Sequence, residues 1–126
     1  MSIETRTDTS QETGHVLDRD TLYHKYFEAS VEETLRSCLD EIGMKRFSEK
    51  IIELGFKYEE ILNDPYLFQD AIYSIFPGLV EMPAPLFLRV VLINLCKILK
   101  VKCDKNKRYN FTKYYQELHN DFVGIY

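Results

Sequence analysis

His24, Glu28 and Glu32 recur at every fourth position, so a helix would stack an imidazole and two carboxylates on one face, a pattern that can offer metal ligands. A helical metal site draws ligands from a second helix as well, and no Glu-x-x-His or His-Glu-x-x-His pattern accompanies these three. An acidic helix surface explains them without a metal, and none is expected. Of the other two histidines, His15 and His119, the first lies in the polar leader. Cys38, Cys96 and Cys103 show no CxxC pair. Cys38 and Cys96 fall on apolar stripes and read as small buried hydrophobes. Cys103 is expected to be exposed, as a chance thiol in a loop with no His or Asn placed to make it a nucleophile. The carboxylate pairs Glu32–Glu33, Asp40–Glu41 and Glu59–Glu60 are neighbours in sequence, and on helices they point in different directions. General acid–base work needs a pocket that drives two carboxylates apart in pKa, so solvated pairs are expected here. There is no glycine-rich phosphate loop and no GxSxG elbow. The residues therefore point away from an enzyme and toward no cofactor.

Recognition chemistry is better represented. Residues 97–113 carry seven basic groups against the single acid Asp104, on a chain whose formal charge is −4. Lys100, Lys102, Lys105, Lys107, Arg108 and Lys113 alternate with Tyr109, Phe111, Tyr114 and Tyr115. Such a segment can grip phosphates while its rings stack on bases. The plain alternative is a solvated loop followed by a helix packed through its aromatics, with Lys97 and Lys100 favoured at a helix C-terminus. The acidic remainder of the chain would also repel a phosphate backbone. A second surface is a protein interface centred on Tyr66, Gln69, Asp70 and Tyr73. Tyr23, Tyr26, Tyr66 and Tyr73 are more aromatic groups than a small core requires, and tyrosine gives contact area at modest entropic cost.

The elements that must position these groups are legible in outline. A chain of 126 residues with 45% hydrophobic and 29% charged residues is one ordinary globular domain. Nine Tyr and eight Phe, with no Trp, load it with aromatics. Residues 1–18 are polar and acidic and are expected to form a disordered leader ahead of a single helical domain over 19–126. They contain no apolar h-region, and with three unpaired-looking cysteines this places the chain in a reducing cytoplasm. The longest apolar run, near 86–99, carries Arg89 and Asn94 and falls short of the roughly 20 residues a membrane span needs, so no membrane partner is expected.

Asp18 or Asp20 can cap a long helix whose stripe is Phe27, Val31, Leu35, Cys38 and Ile42, with Tyr23 and Leu39 beside it and Gly43 as a left-handed stop. Ser30 and Glu33 form a capping-box pattern that allows a later start. A shorter helix follows, with Met44, Phe47, Ile51 and Leu54 on its face and Gly55 ending it, and FKYEEIL adds one further turn. Asn63 or Asp64 caps the next helix, Pro65 opens it, Phe68, Ala71, Ile72 and Ile75 line it, and Pro77 and Gly78 close it. After the connector LVEMPAP, Pro85 starts LFLRVVLINLCKILK, apolar almost all round and so the buried centre. Asn110 or Thr112 caps a last helix, FTKYYQELHNDF. The sum is an all-α bundle of about five helices around a central apolar helix.

The stretches ASVEETLRSCLDEIG, IIELGFKYEEILNDPYLFQDAIYSIF and LFLRVVLINLCKILK, within residues 22–100, resemble the archaeal output domain family, the Nitrosopumilus-type output domain. Asp64, Pro65 and Phe68 match that family's D-P-x-x-F segment, and Ile75 and Phe76 match its helix end. Pro77 stands where the family has glycine, which moves to Gly78, and LVEMPAP replaces its glycine–alanine turn. The resemblance implies a small helical module used in signalling or regulation and carries over no active-site residue. It has no counterpart for the basic, aromatic C-terminal segment. The expected function is a non-catalytic regulatory interaction module acting on a protein partner or as a homodimer, with a nucleic-acid-binding regulator as the alternative.

Overall fold

A computed structural model of the chain describes residues 15–79 and 81–124. These residues form six α-helices and no strand: α1 (His15–Cys38), α2 (Glu41–Glu53), α3 (Tyr58–Leu62), α4 (Pro65–Ile75), α5 (Ala84–Leu99) and α6 (Phe111–Val123). Two short 3-10 turns, Phe76–Gly78 and Lys107–Tyr109, follow α4 and precede α6. The all-α bundle expected from the sequence is what forms, with the further turn in FKYEEIL counted as the sixth helix. The acidic leader lies largely outside the described residues, and α1 starts at His15, ahead of the expected boundary. Asp18 and Asp20 therefore sit inside α1, not at its cap.

Local chemistry sets most of the ends. Asp64 caps α4 by accepting from the Tyr66 and Leu67 amides at 3.0 and 3.2 Å, and Pro65 occupies the first turn where its missing N–H costs nothing. Asn110 caps α6 through the Lys113 amide. Lys100 ends α5 with φ of 61°, in the left-handed region usually left to glycine. The boundary between α1 and α2 departs from expectation. α1 stops at Cys38, and Asp40 starts α2 by accepting from the Gly43 amide at 2.7 Å. Gly43 is inside α2, where an added Cβ would lie 3.2 Å from both Asp40 Oδ1 and Leu39 Cβ, so its lack of a side chain lets the cap close. The break turns Ile42 out of the α1 stripe, and it is 71% exposed. The capping-box reading of Ser30 also fails. Ser30 is buried mid-helix, and its hydroxyl donates back to the Phe27 carbonyl at 2.6 Å.

α5 is the centre of the bundle, packed against α1, α4 and α6. Phe87, Val91, Leu92 and Leu95 are fully buried, while Leu86 stays partly in water. One polar link crosses the α1–α5 contact: Asn94 donates to the Thr34 hydroxyl at 2.9 Å, and that hydroxyl donates to the Ser30 carbonyl at 2.6 Å. Around Phe27 the core is aromatic. Its ring meets Tyr115, Phe68 and Phe111 with centroids 4.9, 5.3 and 6.2 Å away. Tyr23 is buried beside them and donates its hydroxyl to the Tyr115 carbonyl at 2.8 Å. Residues of α6 thus pack on the bundle.

Replacing Phe87 by Ala should lower the unfolding free energy by about 3–5 kcal/mol, and replacing the neighbouring, partly exposed Leu86 by no more than about 1 kcal/mol, as read by urea denaturation.

Candidate interaction surfaces

Gly55, with φ of 83°, turns the chain sharply after α2. The Phe56 amide then bonds back to the Ile51 carbonyl at 2.9 Å, and Lys57 runs extended into α3. This turn swings Tyr58 toward α1 and leaves a groove of about 620 Å³ between α1, α2 and α3. Its walls are mainly Leu35, Met44, Phe47, Ile51, Ile52 and Phe56, with charges of both signs, Glu32, Arg36, Lys57 and Glu59, among the lining. Ile51 and Phe47 are buried, whereas Ile52 is 76% exposed and Leu54, expected on the inward face, is exposed too. Burial, then the carboxylates of Glu32 and Glu28, push the Tyr58 phenol up to about 12 from an ordinary 10.0.

A second surface gathers residues from both recognition segments. On α4, Tyr66 and Tyr73 stand exposed, Asp70 is exposed and Gln69 half-buried. Gln69 and Tyr73 line a small depression with Arg89 of α5 and with Arg108, Tyr109 and Phe111. The Arg89 guanidinium carbon sits 4.9 Å from the centre of the Tyr109 ring. Of the four tyrosines in surplus, Tyr66 and Tyr73 do reach the surface. Tyr26 is half-buried and Tyr23 wholly buried, because its hydroxyl finds a carbonyl inside.

The basic segment is divided by the fold. Phe111, Tyr114 and Tyr115 are buried, so three of the four rings that could have stacked on bases are committed to the core. The Tyr114 hydroxyl accepts from the Asp104 amide at 2.8 Å and lies 3.7 Å from Cys96 Sγ. Lys102 and Lys107 line a separate depression together with Asp104, Glu117 and Asp121, and Lys107 pairs with Glu117 at 2.7 Å. Lys100, Lys105 and Lys113 are exposed, and so is Tyr109.

The candidate metal face does not assemble. Among the described residues no group of three His, Cys, Asp or Glu could hold an ion. His24 instead approaches Asp20 at 3.7 Å, and the other Asp20 oxygen takes His119 Nε2 at 2.5 Å. That pairing spans 99 positions, and nothing local in the sequence announces it. Cys96 is buried, which pushes its thiol up to about 12, and Cys103 is half-buried, not exposed as expected. The carboxylate pairs separate: Glu33 meets Arg36, Asp40 caps α2, and Glu41, Glu59 and Glu60 face solvent.

No family model, curated protein or solved structure matches the chain. No helix among the described residues is long and apolar enough to cross a membrane.

The groove leaves a signature at high pH. Tyr58 loses its proton later in the folded chain than in the unfolded one, so stability should be complete below pH 10 and fall as pH rises from 10 through about 12. Burial also raises Tyr23, Tyr114 and Tyr115, which adds the same sign. Tyr58→Phe should therefore flatten, without removing, the decline in urea midpoint between pH 9 and pH 11.5. Identical slopes in the two proteins would contradict the placement of Tyr58.

Proposed function

We propose that the chain is a non-catalytic signalling or regulatory module that works through protein contacts, with the groove between α1, α2 and α3 receiving the apolar face of a partner helix. One observation carries this reading: Ile52, 76% exposed, stands at the edge of an apolar groove that three helices enclose on only part of its circumference. Burying such a side chain is worth roughly 1.5–3 kcal/mol, a strong gain for any partner that covers it. An amphipathic helix fills such a space with anchors at i, i+3, i+4 and i+7. Glu32, Arg36, Lys57 and Glu59, of mixed sign, would then select partner and register more than add affinity. The partner helix belongs to another protein or to a second copy of this chain. The resemblance of residues 22–100 to the archaeal output domain family points the same way, toward regulation without an active site. A reducing cytoplasm suits the three cysteines, all free thiols.

A photo-crosslinking amino acid in place of Ile52 should yield a discrete protein adduct in native extract, and one in place of exposed Gln116 on α6 should not. Untagged wild-type protein should compete the adduct away, and untagged Ile52→Asp should fail to compete. That substitution should keep its stability within about 0.5 kcal/mol of wild type, because the side chain is largely in water. Equal adducts at both positions, or full competition by Ile52→Asp, would contradict the proposal.

A further inference from the structure

The depression beside the Lys107–Tyr109 turn holds two arginines with no carboxylate to balance them. Among the described residues neither Arg89 nor Arg108 belongs to any ion pair. Arg108 is half-buried, and its Nε–H is sealed from water with no acceptor. A buried donor left unmet is costly, and an anion brought to this guanidinium would give its N–H groups charge-assisted hydrogen bonds. Arg89 lies over Tyr109, which holds its guanidinium at the same rim.

The space these groups line is about 30 Å³, room for one small polar head and not for a ring. Gln69 belongs to the same wall, and its side-chain amide carries two further N–H donors. The exposed rings of Tyr73 and Tyr109 belong to its lining, and exposed Tyr66 lies seven positions before Tyr73 on α4. Asp70, the acid on this stretch of α4, is not among the lining residues.

We propose that this depression binds a carboxylate side chain from an acidic segment of a partner protein. A guanidinium fork matches a carboxylate in two parallel hydrogen bonds, and arginine with tyrosine is the combination that dominates protein hot spots. The charge layout argues against a nucleic-acid strand in the same place. A phosphate backbone needs several cations in a row. Here Lys102 and Lys107 line a different depression among Asp104, Glu117 and Asp121, and Lys107 is already paired. A single carboxylate needs only the two arginines. The site is separate from the apolar groove, so each can fail without the other.

Titration of the ¹⁵N-labelled full chain with hexaglutamate at low salt tests this directly. The Nε–H signals of Arg89 and Arg108 should shift saturably, together with the Tyr109 amide, and hexaglutamine should move none of them. Arg89→Gln should weaken the response about tenfold or more with the remaining amide spectrum unchanged. Arg108→Lys should do the same, since it keeps the charge and loses the fork; if it does not fold, Arg89→Gln alone carries the comparison. No saturable shift with hexaglutamate, an equal shift with hexaglutamine, or tighter binding of hexathymidylate with shifts spread over Lys100–Lys113 would each overturn the proposal.

Discussion

Removal of the Phe27 ring from water is the constraint around which this protein is organised. Its cage draws Phe68 from α4 and, one turn apart, Phe111 and Tyr115 from α6, two segments far from Phe27 and from each other in sequence. Tyr23, one turn earlier on α1, extends the cage and spends its hydroxyl on the Tyr115 carbonyl. Edge-to-face ring contacts of this kind add about 0.5–1.5 kcal/mol each beyond area burial. α5 closes the other side, where the Thr34–Asn94 hydrogen bond fixes how far α1 can slide or rotate against it. Much of the aromatic content of the C-terminal segment is used here: Phe111 and Tyr115 are buried in the cage, and of the four rings in that segment Tyr109 is the one that stays exposed.

The same constraint explains where the fold is thin. α1, α4, α5 and α6 share the cage and its surroundings, but α2 does not reach it. Within α2 only Phe47 and Ile51 are buried, and Phe47 meets the core through Phe76, with centroids 6.4 Å apart. The Asp40 cap and the Gly55 turn bound α2 at its two ends, and Phe47 and Ile51 tie its middle to the core, while the groove lies along its Met44–Ile52 side between α1 and α3. With two buried residues on thirteen, α2 is the long helix with the fewest ties to the core, and its local opening need not disturb the aromatic cage.

What the sequence disclosed follows from how local each cause is. α4 was fully legible because Asp64, Pro65, its four inward residues and Pro77 all act within one turn of their own position. The end of α1 was not. The stripe from Phe27 continues in register to Ile42, and only the competing cap at Asp40 decides that the helix breaks first. The groove had a faint signal in the doublet Ile51–Ile52, since adjacent helical residues point about 100° apart and cannot both face one core. The His119–Asp20 pair and the convergence of Arg89 with Arg108 and Tyr109 had none, because tertiary packing alone brings those segments together.

Native-state hydrogen exchange tests the division between a closed aromatic core and a loosely held α2. The amides of Val31, Leu35, Leu92 and Leu95 should exchange only through global unfolding, with opening free energies equal to that of the whole protein. Those in the middle of α2, from Phe47 to Ile51, should open at a free energy lower by several kcal/mol, through a local route that leaves α1 and α5 protected. Protection of α2 equal to that of α5 would mean that the groove wall is as firmly integrated as the centre, and the account of an open receiving face built on a self-sufficient core would be wrong.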